Sequence, residues 1–255
     1  MFHRCVFLML VAVLSGATPG FAQDPFGSIA DLKLAKEADG KDMASVPAPS
    51  GAIVLFDGKS LDGWTKRDGK SAAHWKMLDG GILQVAGGGD IITKQKFAGK
   101  LKLHLEFRVP YMPKASGQGR GNSGVYVQGR YEIQILDSYG IKSVDHDCGG
   151  IYKVATPLVN ACKAPTVWQT YDILFQAPGC EEGKVTSPAI VSVHHNGVLI
   201  HDKVRLVQKS KDKEIIVTNT TAGLGGDPCA PGPILLQDHG NPVQYRNIWL
   251  VPVRE

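Results

Sequence analysis

From residue 101 the chain reads Leu-Lys-Leu-His-Leu-Glu-Phe-Arg-Val, apolar at every second position without a break. Side chains alternate across a pleated strand, so Leu101, Leu103, Leu105, Phe107 and Val109 share one face. Lys102, His104, Glu106 and Arg108 share the other; a helix would scatter the same apolar residues around its surface. Runs of the same kind at 124–128, 131–136, 170–176, 189–194 and 244–251 predict further strands. Asn196-Gly197 separates two such runs, and Asn-Gly is the strongest short signal for a hairpin. His194 and His195 border that turn and are expected at the surface. Many short strands divided by glycine and proline turns predict an all-β protein, a β-sandwich of jelly-roll type. No repeat of fixed period is present, which argues against a propeller.

A different pattern opens the chain. Arg4 supplies a positive start, residues 6–14 an apolar stretch, and Gly20-Phe-Ala22 a small-x-small cleavage site. Together they predict a signal peptide over 1–22 and an exported protein, periplasmic or extracellular. The apolar run is too short to span a membrane. Residues 23–50 form an N-terminal tail, helix-compatible over 29–38, then extended at Pro47 and Pro49, which lack backbone donors. Residues 51–255 make one β domain. Export also changes the reading of the cysteines. Cys148, Cys162, Cys180 and Cys229 remain after cleavage, and an even count in an oxidising compartment favours two disulfides. Three connectivities are open, of which Cys148–Cys162 and Cys180–Cys229 are preferred. No cysteine pair has the short spacing of a zinc site.

Glycine contributes 30 of 255 residues, above the background of about 7%, and its lack of a triplet period excludes collagen. The formal charge of +4 comes without a basic run, so a nucleic-acid partner has no footprint here. Serine-hydrolase elbows, phosphate-binding loops and the H-E-x-x-H zinc motif are absent.

Chemistry must therefore come from the polar faces of strands and from their turns. In the run from Tyr131, Arg130, Glu132 and Gln134 face away from Tyr131, Ile133 and Ile135. Glu132 and Gln134 stand about 6.6 Å apart along the strand, a carboxylate beside an amide, suited to a hydroxyl-rich ligand. A plain solvated face is the competing reading. Glu132 and Asp137 resist interpretation as a glycosidase pair: five residues apart, they lie on opposite faces and roughly 16 Å apart, whereas such carboxylates need about 5–9.5 Å. A bulge near Leu136 would move Asp137 to the same face, and Glu106 on a neighbouring strand is another source of a second carboxylate. Gln237-Asp238-His239 ends an apolar strand before the Gly240-Asn241-Pro242 turn; His239 is a candidate acid, base or metal ligand, and a hydrogen-bonded turn is the plainer alternative. Tyr126, Tyr152, Trp168 and Trp249 can stack on sugar rings or simply fill the core. Asp145-His-Asp147 carries metal-capable donors that cannot all face one ion in extended chain. Asn219-Thr-Thr221 matches the N-glycosylation pattern.

Five motifs occur in order: Leu55-Phe-Asp-Gly-Lys-Ser-Leu-Asp-Gly-Trp64, Gly121-Asn-Ser-Gly-Val-Tyr126, Tyr131-Glu-Ile-Gln-Ile-Leu-Asp137, Trp168-Gln-Thr-Tyr-Asp172 and Leu236-Gln-Asp-His-Gly-Asn-Pro242. With them the chain resembles, over residues 51–254, the exported bacterial 3-keto-disaccharide hydrolase family, also named for 3-keto-glucoside 1,2-lyase/3-keto-2-hydroxy-glucal hydratase activity. The resemblance implies a concanavalin-like jelly roll with a carbohydrate site on its concave sheet. It implies catalytic roles for Glu132, His239 and Asp137, and sugar contacts at Asn122, Arg130, Gln134, Gln237 and Arg246. The implied chemistry is abstraction of the C2 proton of a 3-keto-glycoside by Glu132. The enolate would be stabilised by Arg130, Gln134 or a bound divalent cation, with elimination at C1 assisted by His239 and hydration to follow. A non-catalytic carbohydrate-binding module and a conventional glycoside hydrolase are the alternatives.

Overall fold

The computed structural model describes residues 26–253; the expected signal peptide over 1–22 lies outside the described residues. Two antiparallel sheets form a jelly-roll sandwich. The larger has eight strands, in the order Val198–Arg205, Ile190–His195, Gln169–Gln176, Lys100–Arg108, Gln244–Pro252, Ile82–Gln84 and Lys76–Leu78, with Ile53–Phe56 also paired to Gln244–Pro252. The smaller has five, in the order Trp64–Lys66, Ile91–Thr93, Leu235–Leu236, Ser123–Val127 and Tyr131–Ile135. Among the described residues no helix is long and apolar enough to cross a membrane.

The core forms where the alternating faces meet. Leu101, Leu103, Leu105 and Phe107 from the large sheet pack with Val125, Val127, Tyr131, Ile133 and Ile135 from the small one. Asn196 and Gly197 both hold positive φ (54° and 78°), and His195 pairs with Val198 across them, the two-residue primed turn that Asn-Gly favours. His195 departs from its expected exposure. Alternation turns it inward, 1% exposed, between Phe107 and Tyr171, and burial lowers its pKa to about 3.

The outer face of the large sheet is covered as well. Residues 42–46 lie across it: Met43 N donates to Trp168 O, Trp168 N to Asp42 Oδ1 and Val46 N to Glu106 Oε1. Glu106 is 1% exposed and also accepts from Arg246 Nε (2.6 Å) and Asn247 Nδ2 (2.7 Å). Asn247 reaches it from a bulge with φ of 47°. Burial pushes the Glu106 carboxyl up, but donors from His104, Ser45, Asn247 and Arg246 outweigh it and bring the pKa to about 2. Arg246 in turn stacks on Trp168 at 4.1 Å, and Trp249 stacks on His104 at 4.7 Å.

Of the cysteines, Cys180 and Cys229 are disulfide-bonded, with Cα atoms 5.9 Å apart. The preferred Cys148–Cys162 bridge is not formed; both are free thiols. Their sulfurs meet in the interior, where the Tyr171 hydroxyl hydrogen-bonds Cys148 Sγ at 3.1 Å.

Removing one member of a buried ion pair strands its partner, at a cost of about 3–5 kcal/mol. Glu106→Ala, which leaves Arg246 without its carboxylate, is expected to lower unfolding free energy by about that amount in urea titrations.

Candidate functional site

One row of side chains crosses the outer face of the small sheet: Thr65, Ile92, Leu235, Tyr126 and Glu132, each directly opposite the next. Residues directly opposite in antiparallel strands point to the same face. Ile92, Leu235 and Tyr126 form a small apolar cluster with Leu224. Glu132 ends the row in a cavity of about 150 Å³ lined by Gln118, Asn122, Tyr126, Glu132, Gln134, Tyr152, Thr221, Ala222, Gln237 and His239. Pockets for drug-sized ligands are about 300–1,000 Å³, so this one suits a single ring-sized polar group.

Glu132 lies at the buried end, 2% exposed, with its backbone N–H donating to Thr220 Oγ1. Room for its carboxyl comes from Gly124 on the adjacent strand: a Cβ there would stand 2.5 Å from Glu132 Oε1. Burial is the main influence on the carboxyl, and the Asp90 charge adds to it. They outweigh the favourable Tyr126 hydroxyl and raise the pKa to about 8. Tyr126 Oη accepts from Gln237 Nε2 (3.0 Å) and donates to Thr221 O (3.2 Å). Burial first, then the neighbouring Glu132, raise its pKa and keep the phenol neutral.

An amide network fixes the opposite wall. Gln118 Oε1 accepts from Gln134 Nε2 (3.0 Å) and Asn122 Nδ2 (3.2 Å), and Gln118 Nε2 donates to His146 O. Two buried acceptors, Asn122 Oδ1 and Gln237 Oε1, have no partner. A buried unpaired acceptor is costly, and hydroxyl groups of a ligand are the donors that would satisfy both. His239 is exposed and lines the cavity; the carboxyl is enclosed and the imidazole is not. Asp238 serves the turn, accepting from Gly89 N and Gly240 N.

Glu132, Gln134, Asn122, Gln237 and His239 therefore converge, and three expected members do not. Asp137 follows two successive core residues, Ile135 and Leu136, where alternation ends. It faces Arg120 at 3.4 Å, caps Tyr139 N and is not part of the cavity lining. Arg246 and Glu106 pair on the outer face of the large sheet, across the core from Glu132. Arg130 lies in the hairpin turn of residues 128–130, before the strand, and borders a separate cavity. Of the aromatic candidates, Tyr126 and Tyr152 line the site, whereas Trp168 and Trp249 lie with Arg246 and His104 on the opposite side. Gln118 and Ala222, unsuspected from sequence, sit in irregular loops without periodicity. Thr221 was visible only within a glycosylation pattern.

Glu132 and His239 are the only carboxylate and imidazole lining the cavity, a thin donor set for a divalent cation. The one cluster of three metal-capable side chains among the described residues, Cys148, Cys162 and His195, contributes nothing to this lining.

A group that binds its proton more tightly when folded loses stability as pH rises from its unfolded pKa towards its folded one. For Glu132 that window runs from 4.5 to about 8. Glu132→Gln abolishes this slope, so its melting temperature should exceed that of wild type by at least about 3 °C at pH 8.5, and by less at pH 5, in thermal scans.

Residues 51–251 match the family model of the 3-keto-alpha-glucoside-1,2-lyase-like domain. A Parabacteroides distasonis protein of known crystal structure, provisionally named a glycosyl hydrolase, is 38% identical; the alignment covers 81% of this chain and 86% of that one, with a TM-score of 0.70. A second such protein from the same organism shares the fold at 19% identity and a TM-score of 0.54, over 80% of this chain and 94% of its own. No curated protein matches the chain.

Proposed function

Since the chain belongs to the 3-keto-alpha-glucoside-1,2-lyase-like family, a carbohydrate-active one, we propose that it is an exported enzyme that cleaves 3-keto-glycosides by elimination and hydration. The observation that carries this reading is the solitary buried Glu132, poised near pH 8 in a cavity with unpartnered amide oxygens and no second carboxylate. Conventional glycoside hydrolysis uses paired carboxyl groups, and neither Asp137 nor Glu106 reaches the cavity. The N-terminal segment and the Cys180–Cys229 bond support export.

A carbonyl at C3 acidifies the adjacent C2–H bond. In its ionised form Glu132 takes that proton, and the electron pair passes into an enolate whose oxygen the neutral Tyr126 hydroxyl and the cavity amides can contact. The enolate expels the C1 oxygen, which takes a proton from His239 at the cavity mouth, leaving a C1–C2 double bond conjugated to the ketone. Water then adds at C1, giving up a proton to His239, while Glu132 returns its proton to C2, so both groups are regenerated and the net reaction is hydrolysis. Arg130, expected to steady the enolate, borders another cavity, and Tyr126 stands in its place.

A general base must be ionised while the His239 acid still carries its proton, so kcat/KM on a 3-keto-glucoside should be bell-shaped in pH, with one limb at about 8, the value at Glu132. Glu132→Gln should lower turnover by about 10²–10⁴-fold, and the unoxidised parent glycoside should not be cleaved by either protein. Enone absorbance and released sugar report both. Saturable sugar binding by both proteins with no turnover of either substrate would instead identify a binding module.

A further inference from the structure

Arg130 stands two residues before Glu132 in the sequence, yet its surroundings differ. Arg130 is 4% exposed and borders a cavity of about 410 Å³ that Thr65 and Ile92 of the small sheet also line. Its guanidinium donates through Nη2 to the neutral oxygens Ala230 O (2.6 Å), Gln128 Oε1 (3.3 Å) and Pro228 O (3.5 Å). Nε has no partner, and no carboxylate among the described residues lies within ion-pair distance of Arg130. The phenol of Tyr131, which interacts with the Arg130 side chain, is kept neutral by burial and so does not offset the charge.

A buried charge without a counter-charge is a strongly unfavourable arrangement. Other features of the cavity point the same way. Thr65 Oγ1, also bordering it, is buried and unpartnered. Lys94 and Lys96 stand exposed at its rim with no ion pair among the described residues. The two acids in the lining accept from neutral donors, Asp68 from Ser71 and Lys70 N and Asp227 from Cys229 N, and the three cations Arg130, Lys94 and Lys96 exceed them by one charge. Arg67, the remaining cation, is neutralised by Asp90 at 2.6 Å.

We propose that this cavity is an anion-binding subsite that holds a carboxylate or sulfate ester on the sugar adjoining the one in the Glu132 cavity. Its connection to a glycan rests on the function proposed above; its preference for an anion does not. The two cavities are neighbours on one surface. Arg130 stands in the hairpin turn that leads into the strand carrying Glu132, two residues before it. The loop of residues 219–226 forms a wall of both, with Thr221 and Ala222 on one side and Leu224, Gly225 and Gly226 on the other. Arg130 is thereby a specificity residue for the charged substituent, remote from the bond that breaks.

Isothermal titration with glucuronate, inorganic sulfate and glucose tests the site without any turnover. Wild type should bind both anions, more weakly as salt rises, and glucose at least tenfold less tightly than glucuronate. Charge-assisted hydrogen bonds are worth about 1.5–3 kcal/mol, so Arg130→Met should weaken glucuronate binding by roughly 10–100-fold. Glu132→Gln should leave anion binding unchanged, which separates failure of this site from failure of the catalytic reading. The paired surface change Lys94→Gln and Lys96→Gln, which removes no buried group, should cost several-fold in glucuronate affinity even if Arg130→Met does not fold. Equal affinity for glucuronate and glucose, or undiminished anion binding in a folded Arg130→Met protein or in the double lysine variant, would overturn the proposal.

Discussion

The strand Tyr131–Ile135 is buried on both faces, and the structure depends on that constraint more than on any other. Tyr131, Ile133 and Ile135 enter the core, so Glu132 and Gln134 must face outward beneath covering loops. Pleating makes the two sets inseparable: a one-residue slip would exchange them, sending a carboxyl and an amide into the hydrophobic interior. Core packing therefore holds the candidate chemistry in register. The enclosed position raises the Glu132 pKa, and a carboxyl with a pKa near the working pH is both a competent base and a liability to the fold.

The two sheets treat their buried carboxyls in opposite ways. Glu106 is surrounded by donors and brought to about 2, whereas Glu132 has little to offset its desolvation and rises to about 8. The same residue type is structural on one face of the sandwich and chemically poised on the other. Hydrogen-bond supply decides which role it takes.

Parity along each strand was legible in the sequence. The alternation through residues 101–109, the Asn196-Gly197 turn and the shared face of Glu132 and Gln134 all follow from a period of two. Parity does not say which sheet a strand joins or what covers its outer face, and that is where Arg246 and Glu106 were misplaced. Both belong to polar faces, but the face is that of the large sheet beneath residues 42–46. Arg130 shares the parity of Glu132, yet the loop of residues 219–226 divides their surroundings. Gln118 left no periodic trace because it lies in a single 3-10 turn, Gly117–Gly119, too short to show a period. His195 and the two free thiols were misjudged for a related reason: neighbouring sequence gives no measure of what packs across the sandwich.

Tyr131–Ile135 is also the last strand of its sheet. An open strand edge invites pairing with another chain, and here the loops prevent it. Gln134 N and O bond Gly150 and Gly149, Glu132 N bonds Thr220 Oγ1, and Thr220 N bonds Arg130 O. The loops that wall the cavity are thus also the seal on an adhesive edge. Their tips are free to vary and so reshape the ligand site, whereas the residues that occupy the strand's backbone are not. Diversification of substrate is channelled into the tips, and a loop too far altered would expose the edge to self-association before it produced a new specificity.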